Sequence, residues 1–186
     1  MHTDEFWQLY HPNGEPIKDH GWDSAKDNPE TASADAKEIV GVAVIFLYRR
    51  GEKGLEFLWQ RRSELVSRYP GDYDISAGGH INFGETVVEG AIRETYEEIG
   101  VKITAEDLSF VTMRPFNKNR FAWVFAVDWT GREEAFSFND KEVSEVRWVE
   151  GEKMREFREK FAKEPLKNDQ LTFAALREWA RMHGYN

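Results

Sequence analysis

Two rhythms of apolar positions run along this chain, and where one gives way to the other the elements begin and end. Phe6 to Tyr10 reads as a short aromatic strand, stopped by the turn His11-Pro12-Asn13-Gly14. Ile39 to Tyr48 is apolar on both faces and predicts a central strand covered on each side. Arg49 to Gly54 turns the chain, and Leu55 to Arg61 predicts the return strand. Leu108 to Arg114 and Arg120 to Trp129 predict two more, and Val143 to Val149 closes the set by alternation. The helical rhythm is clearest from Thr86 to Ile99, where Val88, Ala91, Ile92, Thr95 and Ile99 fall on one stripe. Thr86 and Glu89 have the spacing of a capping box, and Gly100 stands where a left-handed terminating residue is wanted. Glu152 to Phe161 and Gln170 to His183 predict amphipathic helices separated by Pro165. Strands interspersed with helices, one of them apolar on both faces, predict an α/β (α+β) fold with a mixed sheet between helices.

Composition narrows the picture. At 186 residues the chain is expected to be one domain over residues 1–186, with an N-terminal strand and irregular loop through residue 38 and C-terminal helices over 150–186. It contains no cysteine, which excludes a disulfide scaffold, a cysteine-ligated metal and a cysteine nucleophile. The longest apolar run, Ile39 to Tyr48, is far short of the roughly 20 residues that cross a bilayer. No basic, apolar leader pattern opens the sequence, so a cytoplasmic protein without a membrane partner is expected. The net charge of −9 lacks the basic footprint that duplex nucleic acid demands. An anionic substrate would therefore have to be attracted by something other than net side-chain charge.

The chemistry is concentrated in the helix from Thr86 and the loop before it. Glu94, Glu97 and Glu98 lie at i, i+3 and i+4, on a face centred about 120° from the apolar stripe. Exposed, such a cluster is only a solvated acidic face and costs little. In a partly buried cleft each pair would repel by roughly 3 kcal/mol, so the cluster would need a cation or Arg93 to neutralise it. Oxygen donors without a histidine cluster point to Mg²⁺ or Mn²⁺ rather than zinc.

Residues 79–101 carry the whole pattern: Gly79, five residues, Glu85, seven more, Arg93-Glu94, two, Glu97-Glu98, one, Gly100 and an apolar Val101. At about 6% usage per residue type, its seven fixed letters would coincide by chance on the order of 10⁻⁹ per starting position. The segment resembles the signature box of the Nudix hydrolases. It departs at Thr95, where that family usually has an aliphatic residue. Gln60-Arg61-Arg62-Ser63, Tyr69 to Asp74 and Gly78-Gly79-His80 further resemble the isopentenyl-diphosphate-isomerase-like branch. The resemblance covers most of residues 6–150.

The resemblance implies a Nudix α/β/α sandwich and hydrolysis of a pyrophosphate bond in a nucleoside diphosphate derivative or related diphosphate. It makes Glu94, Glu97 and Glu98 ligands of a divalent cation, with the Gly79 carbonyl as a further ligand. Arg93 would pair with Glu97 one turn on, either to fix its rotamer or as a plain surface ion pair. Glu85 would reach the cations through water or serve only the structure ahead of the capping box. The proton acceptor stays open among Glu98, Glu142 and, behind them, Glu145. Arg61, Arg62 and Arg68 are candidate phosphate contacts. Tryptophans such as Trp7, Trp59 and Trp148 read first as core, as do Phe157, Phe161, Phe173 and Trp179 near the C-terminus.

Two alternatives remain at this point. The isomerases of that branch use a cysteine at the position of Gly78 and histidine metal ligands, of which His80 alone is present here. A non-catalytic Nudix module that binds a nucleotide or a protein is the other. Substrate identity and the choice between monomer and homodimer are not legible.

Overall fold

The N-terminal aromatic segment is two strands, not one. In the computed structural model, which describes residues 6–23, 38–117, 119–133, 135–139, 141–161 and 169–185, β1 (Phe6–Trp7) and β2 (Leu9–Tyr10) belong to different sheets. Gln8 makes the break: its N–H donates to Ile81 and its carbonyl accepts from Gly41, so the chain changes partners there. β1 pairs with β3 (Trp22–Asp23), a strand inside the segment expected to be irregular. Residues 24–37 and Pro165 lie outside the described residues.

β4 (Ile39–Gly51) is the axis of the main sheet. Val40 to Tyr48 are buried without a break, as a strand covered on both faces requires. β5 (Gly54–Arg62) returns antiparallel. Two short strands follow that the polar rhythm did not announce, β6 (Tyr73–Asp74) and β7 (Ala77–His80). Helix α1 (Val87–Ile99) comes next, then β8 (Leu108–Asn117), β9 (Arg120–Asp128) and β10 (Val143–Glu150). The chain finishes with α2 (Met154–Phe161) and α3 (Asp169–Met182).

The strand order is β10-β5-β4-β9-β8, with β4 and β9 parallel and the other neighbours antiparallel. One flank of β4 runs beside β9 from Val40 to Tyr48. Its other flank is shared by β2 at Ile39–Val40, β7 at Val42–Ile45 and β5 at Tyr48–Gly51. The sheet therefore splits between β7 and β5. Ser76 bridges that split, donating to the Leu58 carbonyl at 2.6 Å and accepting from the Leu47 N–H at 2.9 Å.

Alternation sends Ala43, Ile45 and Leu47 to one face, against α1, and Val44, Phe46 and Tyr48 to the other, with Trp59, Phe173, Leu176 and Trp179. The expected α/β/α sandwich is what forms. Trp59 is buried as expected, whereas Trp7 and Trp148 are only half-buried. Phe173 and Trp179 are buried, and Phe157 and Phe161 pack partly covered beside them. No helix among the described residues is long and apolar enough to cross a membrane.

Candidate active site

Helix α1 is fixed at both ends before its glutamates matter. Thr86 accepts from the Glu89 N–H while the Glu89 carboxylate accepts from the Thr86 N–H, the reciprocal capping box the sequence predicted. Gly100, at φ 73°, closes the other end in the left-handed conformation. A Cβ there would also fall 1.9 Å from the Ser137 hydroxyl, so glycine admits the loop before β10 as well. Ala91 and Ile99 are fully buried against the sheet. Thr95, the departure from the family pattern, is buried beside them, its hydroxyl donating to the Ala91 carbonyl at 2.7 Å. A threonine thus satisfies its polar atom within the helix and leaves its methyl for packing.

The three glutamates differ in how far they are covered. Glu97 is about half exposed, Glu94 largely covered, and Glu98 only 4% exposed. Glu98 turns into the split of the sheet. Its Oε2 accepts from the Gly78 N–H of β7 at 2.8 Å and from Gln60 Nε2 of β5 at 3.1 Å. The reason is electrostatic: a buried carboxylate needs donors, and the parted strands supply one each.

Arg93 ties the rest together. Its Nε and Nη2 hold both oxygens of Glu85 at 2.8 and 3.0 Å, and Nη2 also donates to the His80 carbonyl at 2.9 Å. Its Nη1 donates at 2.8 Å to Glu94 Oε1 and at 2.8 Å to Glu97 Oε2. Arg93 therefore reaches well beyond the single pairing with Glu97 that spacing predicted. Glu85 Oε2 also accepts from the Asn82 N–H at 2.9 Å and braces the loop into α1. Burial pushes the Glu85 carboxyl up, but Arg93 and the Asn82 amide outweigh it and hold its pKa below the usual range. Burial likewise opposes the Arg93 charge, and the Glu85 hydrogen bond with the Glu94 charge reverses this, so its pKa lies above the ordinary arginine range.

These residues fit a hard divalent cation by two observations. The available donors are carboxylate oxygens. A Cβ at position 79 would lie 2.3–2.5 Å from the Glu94 carboxylate, so glycine lets the β7 backbone and that carboxylate meet directly. Among the described residues, however, no three His, Asp or Glu side chains are already gathered closely enough to hold a metal ion. Glu94 and Glu97 lean on Arg93 and Glu98 on the sheet, so the full set of ligands would have to turn toward a cation.

Other expected residues fall in different places. Arg61 donates to the Gly71 carbonyl and to Glu64, and Arg62 Nε donates to the Arg68 carbonyl, so both act as struts of the loop 63–72. The Glu142 carbonyl accepts from the Ser63 N–H at 2.7 Å, which pins the loop before β10 to the end of β5. Glu145 lies opposite Arg61, accepts from the Tyr73 hydroxyl, and shares the sheet face that α2 covers. That is the face away from α1, so Glu145 is no proton acceptor for the box. A bulge between Val143 and Glu145 shifts the register and turns it away.

Sequence reasoning missed Gln8, Gln60 and Ser76. Gln8 is buried, donates to Leu9 and Ile17, and accepts from the Gly84 N–H at 3.0 Å, joining the N-terminus to the box loop. A glutamine or serine among apolar neighbours was the available signal.

A family model of the NUDIX domain matches residues 37–171. This chain belongs to the Nudix family. Nudix hydrolase 3 of Arabidopsis thaliana is 35% identical to it over 113 residues, 55% of this chain and 15% of that one. The uncharacterized Nudix hydrolase YfcD of Escherichia coli K12 is 30% identical over 136 residues, 70% of this chain and 68% of that one. This chain thus spans only a small part of the Arabidopsis relative's length. Among solved structures, DR0079 of Deinococcus radiodurans superposes with a TM-score of 0.65 at 23% identity, covering 93% of this chain and 98% of that one. That likeness is one of fold.

Proposed function

We propose that this Nudix chain is a hydrolase that cleaves a pyrophosphate bond in a nucleoside diphosphate derivative or related diphosphate, with Mg²⁺ or Mn²⁺ bound. The reading is carried by one observation: every charged position of the box is present and held, Glu85, Glu94 and Glu97 through Arg93 and Glu98 through the sheet. A degenerate binding module would have no use for that completeness.

Glu94, Glu97 and Glu98, with the Gly79 carbonyl, would hold the cation. When bound, it supplies charge neutralisation for an anionic substrate and acidifies a water. The chain's own contributions are positional. Capping and the Glu85–Arg93 brace fix α1, so the carboxylates approach the substrate from a rigid helix. Glu98 is the favoured proton acceptor, with Glu142 the alternative on the loop. Arg62, at the end of β5, and Arg68, on the loop to β6, are the candidate phosphate contacts, whereas Arg61 pairs opposite Glu145 and so takes the face away from α1.

The isopentenyl-diphosphate-isomerase-like chemistry is disfavoured. The chain has no cysteine, and a Cβ at Gly78 would press within 2.6 Å of the Ala43 carbonyl, leaving no room for a reactive side chain. The deciding experiment is a phosphate-release screen over nucleoside di- and triphosphates, nucleotide sugars, dinucleotides and isoprenoid diphosphates, with Mg²⁺ and with Mn²⁺. Turnover lost in Glu97→Gln and Glu98→Gln supports the hydrolase. Silence across the panel with metal confirmed bound overturns it in favour of a binding module.

A further inference from the structure

The Arg93 guanidinium is divided between two jobs. Its Nε–Nη2 edge is committed to the fold, on both Glu85 oxygens and the His80 carbonyl. Its Nη1 faces the carboxylates of α1, bonded to Glu94 and Glu97 at 2.8 Å each, so their oxygens lie within twice that distance of one another. Two carboxylates this close, one largely covered, are held together by a shared positive centre.

We propose that Nη1 of Arg93 is a stand-in cation: it holds Glu94 and Glu97 while no metal is bound, and yields their oxygens to a divalent ion that binds. Glu85 makes the exchange workable. By gripping the other edge, it keeps the guanidinium from following the carboxylates or dropping into the cleft. Arg93 is then a positioning residue that competes with the metal, and Glu85 sets how hard it competes. This rests on the metal-dependent reading above. It differs from simple orientation of the ligands in sign: an orienting arginine strengthens metal binding, a competing one weakens it.

The test is equilibrium Mn²⁺ binding to the full chain, followed by the electron paramagnetic resonance of the free ion, alongside thermal unfolding without metal. Arg93→Gln is expected to lower Tm without metal and to tighten Mn²⁺ binding on the order of tenfold. Glu85→Gln is expected to weaken Mn²⁺ binding severalfold, because the released guanidinium turns wholly onto Glu94 and Glu97. An Arg93→Gln protein that binds Mn²⁺ equally or less tightly overturns the exchange. If that variant does not fold, Glu85→Gln decides alone, and unchanged or tighter binding overturns the proposal. A wild-type chain that binds no Mn²⁺ defeats the metal-dependent reading itself, a result distinct from a wrong sign in the variants.

Discussion

The two faces of the central sheet are built on opposite plans. Toward α1, β4 and β7 present Ala43, Ala77 and Gly79, and the helix answers with Ala91, so backbones approach closely. Toward α2 and α3 the same sheet presents Phe46, Tyr48, Phe57, Trp59 and Tyr73, met by Phe157, Phe173 and Trp179. Small residues bury little area but fix positions to within a side chain's width. Aromatic residues bury much more area and tolerate small shifts. The face that carries the charged network thus brings backbones together where α1 crosses β4 and β7, beside larger buried residues such as Ile45, Leu47 and Phe125, whereas the other face packs ring against ring.

The sharpest way to break this division is to remove a charge on the α1 face. Glu98→Gln keeps an acceptor for the Gly78 amide, so the fold should persist within a degree or two of Tm. Turnover on whichever diphosphate the screen identifies should fall by about 10³-fold or more, about 4 kcal/mol of barrier. Truncation on the aromatic face should do the reverse. Trp59→Ala should cost about 3–5 kcal/mol in denaturant unfolding, while kcat measured well below Tm changes less than threefold. Gly79→Ala sits between the two. Its Cβ would meet the Glu94 carboxylate, a side chain that can swing aside, so activity should drop about 10- to 100-fold with only a small change in Tm. A large Tm loss from Gly79→Ala, with activity kept, would put that position on the structural side.

The same contrast explains what could be read from sequence. The box was legible because its information is local: a 3.6-residue period, a capping pair three apart, and a terminal glycine. β4 was legible for the same reason. β7 was not, because Ala77, Gly78 and Gly79 offer neither branched nor aromatic side chains, and its pairing is fixed by β4 more than thirty residues earlier. The donors to Glu98 come from positions 60 and 78, and Ser76 joins residues 47 and 58, so their roles exist only once the sheet has split. Glu145 shows how a single bulge defeats alternation. One extra residue between Val143 and Glu145 put its carboxylate on the aromatic face, where it meets Tyr73. Acid side chains that looked equivalent in sequence therefore differ by which face they reach.

A last test separates charge that serves the box from charge that serves only the fold of the same face. Asp107, in the turn before β8, accepts from Arg132 at 2.5 Å and from the Thr104 N–H at 2.8 Å, and Arg132 lies over the ring of Trp129 in the α1-face core. The Arg132 hydrogen bond, aided by the Thr104 amide, holds the Asp107 carboxyl below its ordinary value of 3.8. A carboxyl depressed by folding contributes stability above its unfolded pKa and loses it as pH falls through the folded one. Asp107→Asn should therefore cost about 1 kcal/mol at pH 7, a Tm loss of roughly 2–4 °C. That deficit should stay level down to about pH 5 and close as the wild type is titrated below 3.8. Activity at neutral pH should be unmoved, since the hydrogen-bond partners of Asp107, Thr104 and Arg132, lie outside the box. A deficit that persists undiminished in acid would mean the turn is held by shape and not by charge, and the α1 face would then keep its electrostatics for the box alone.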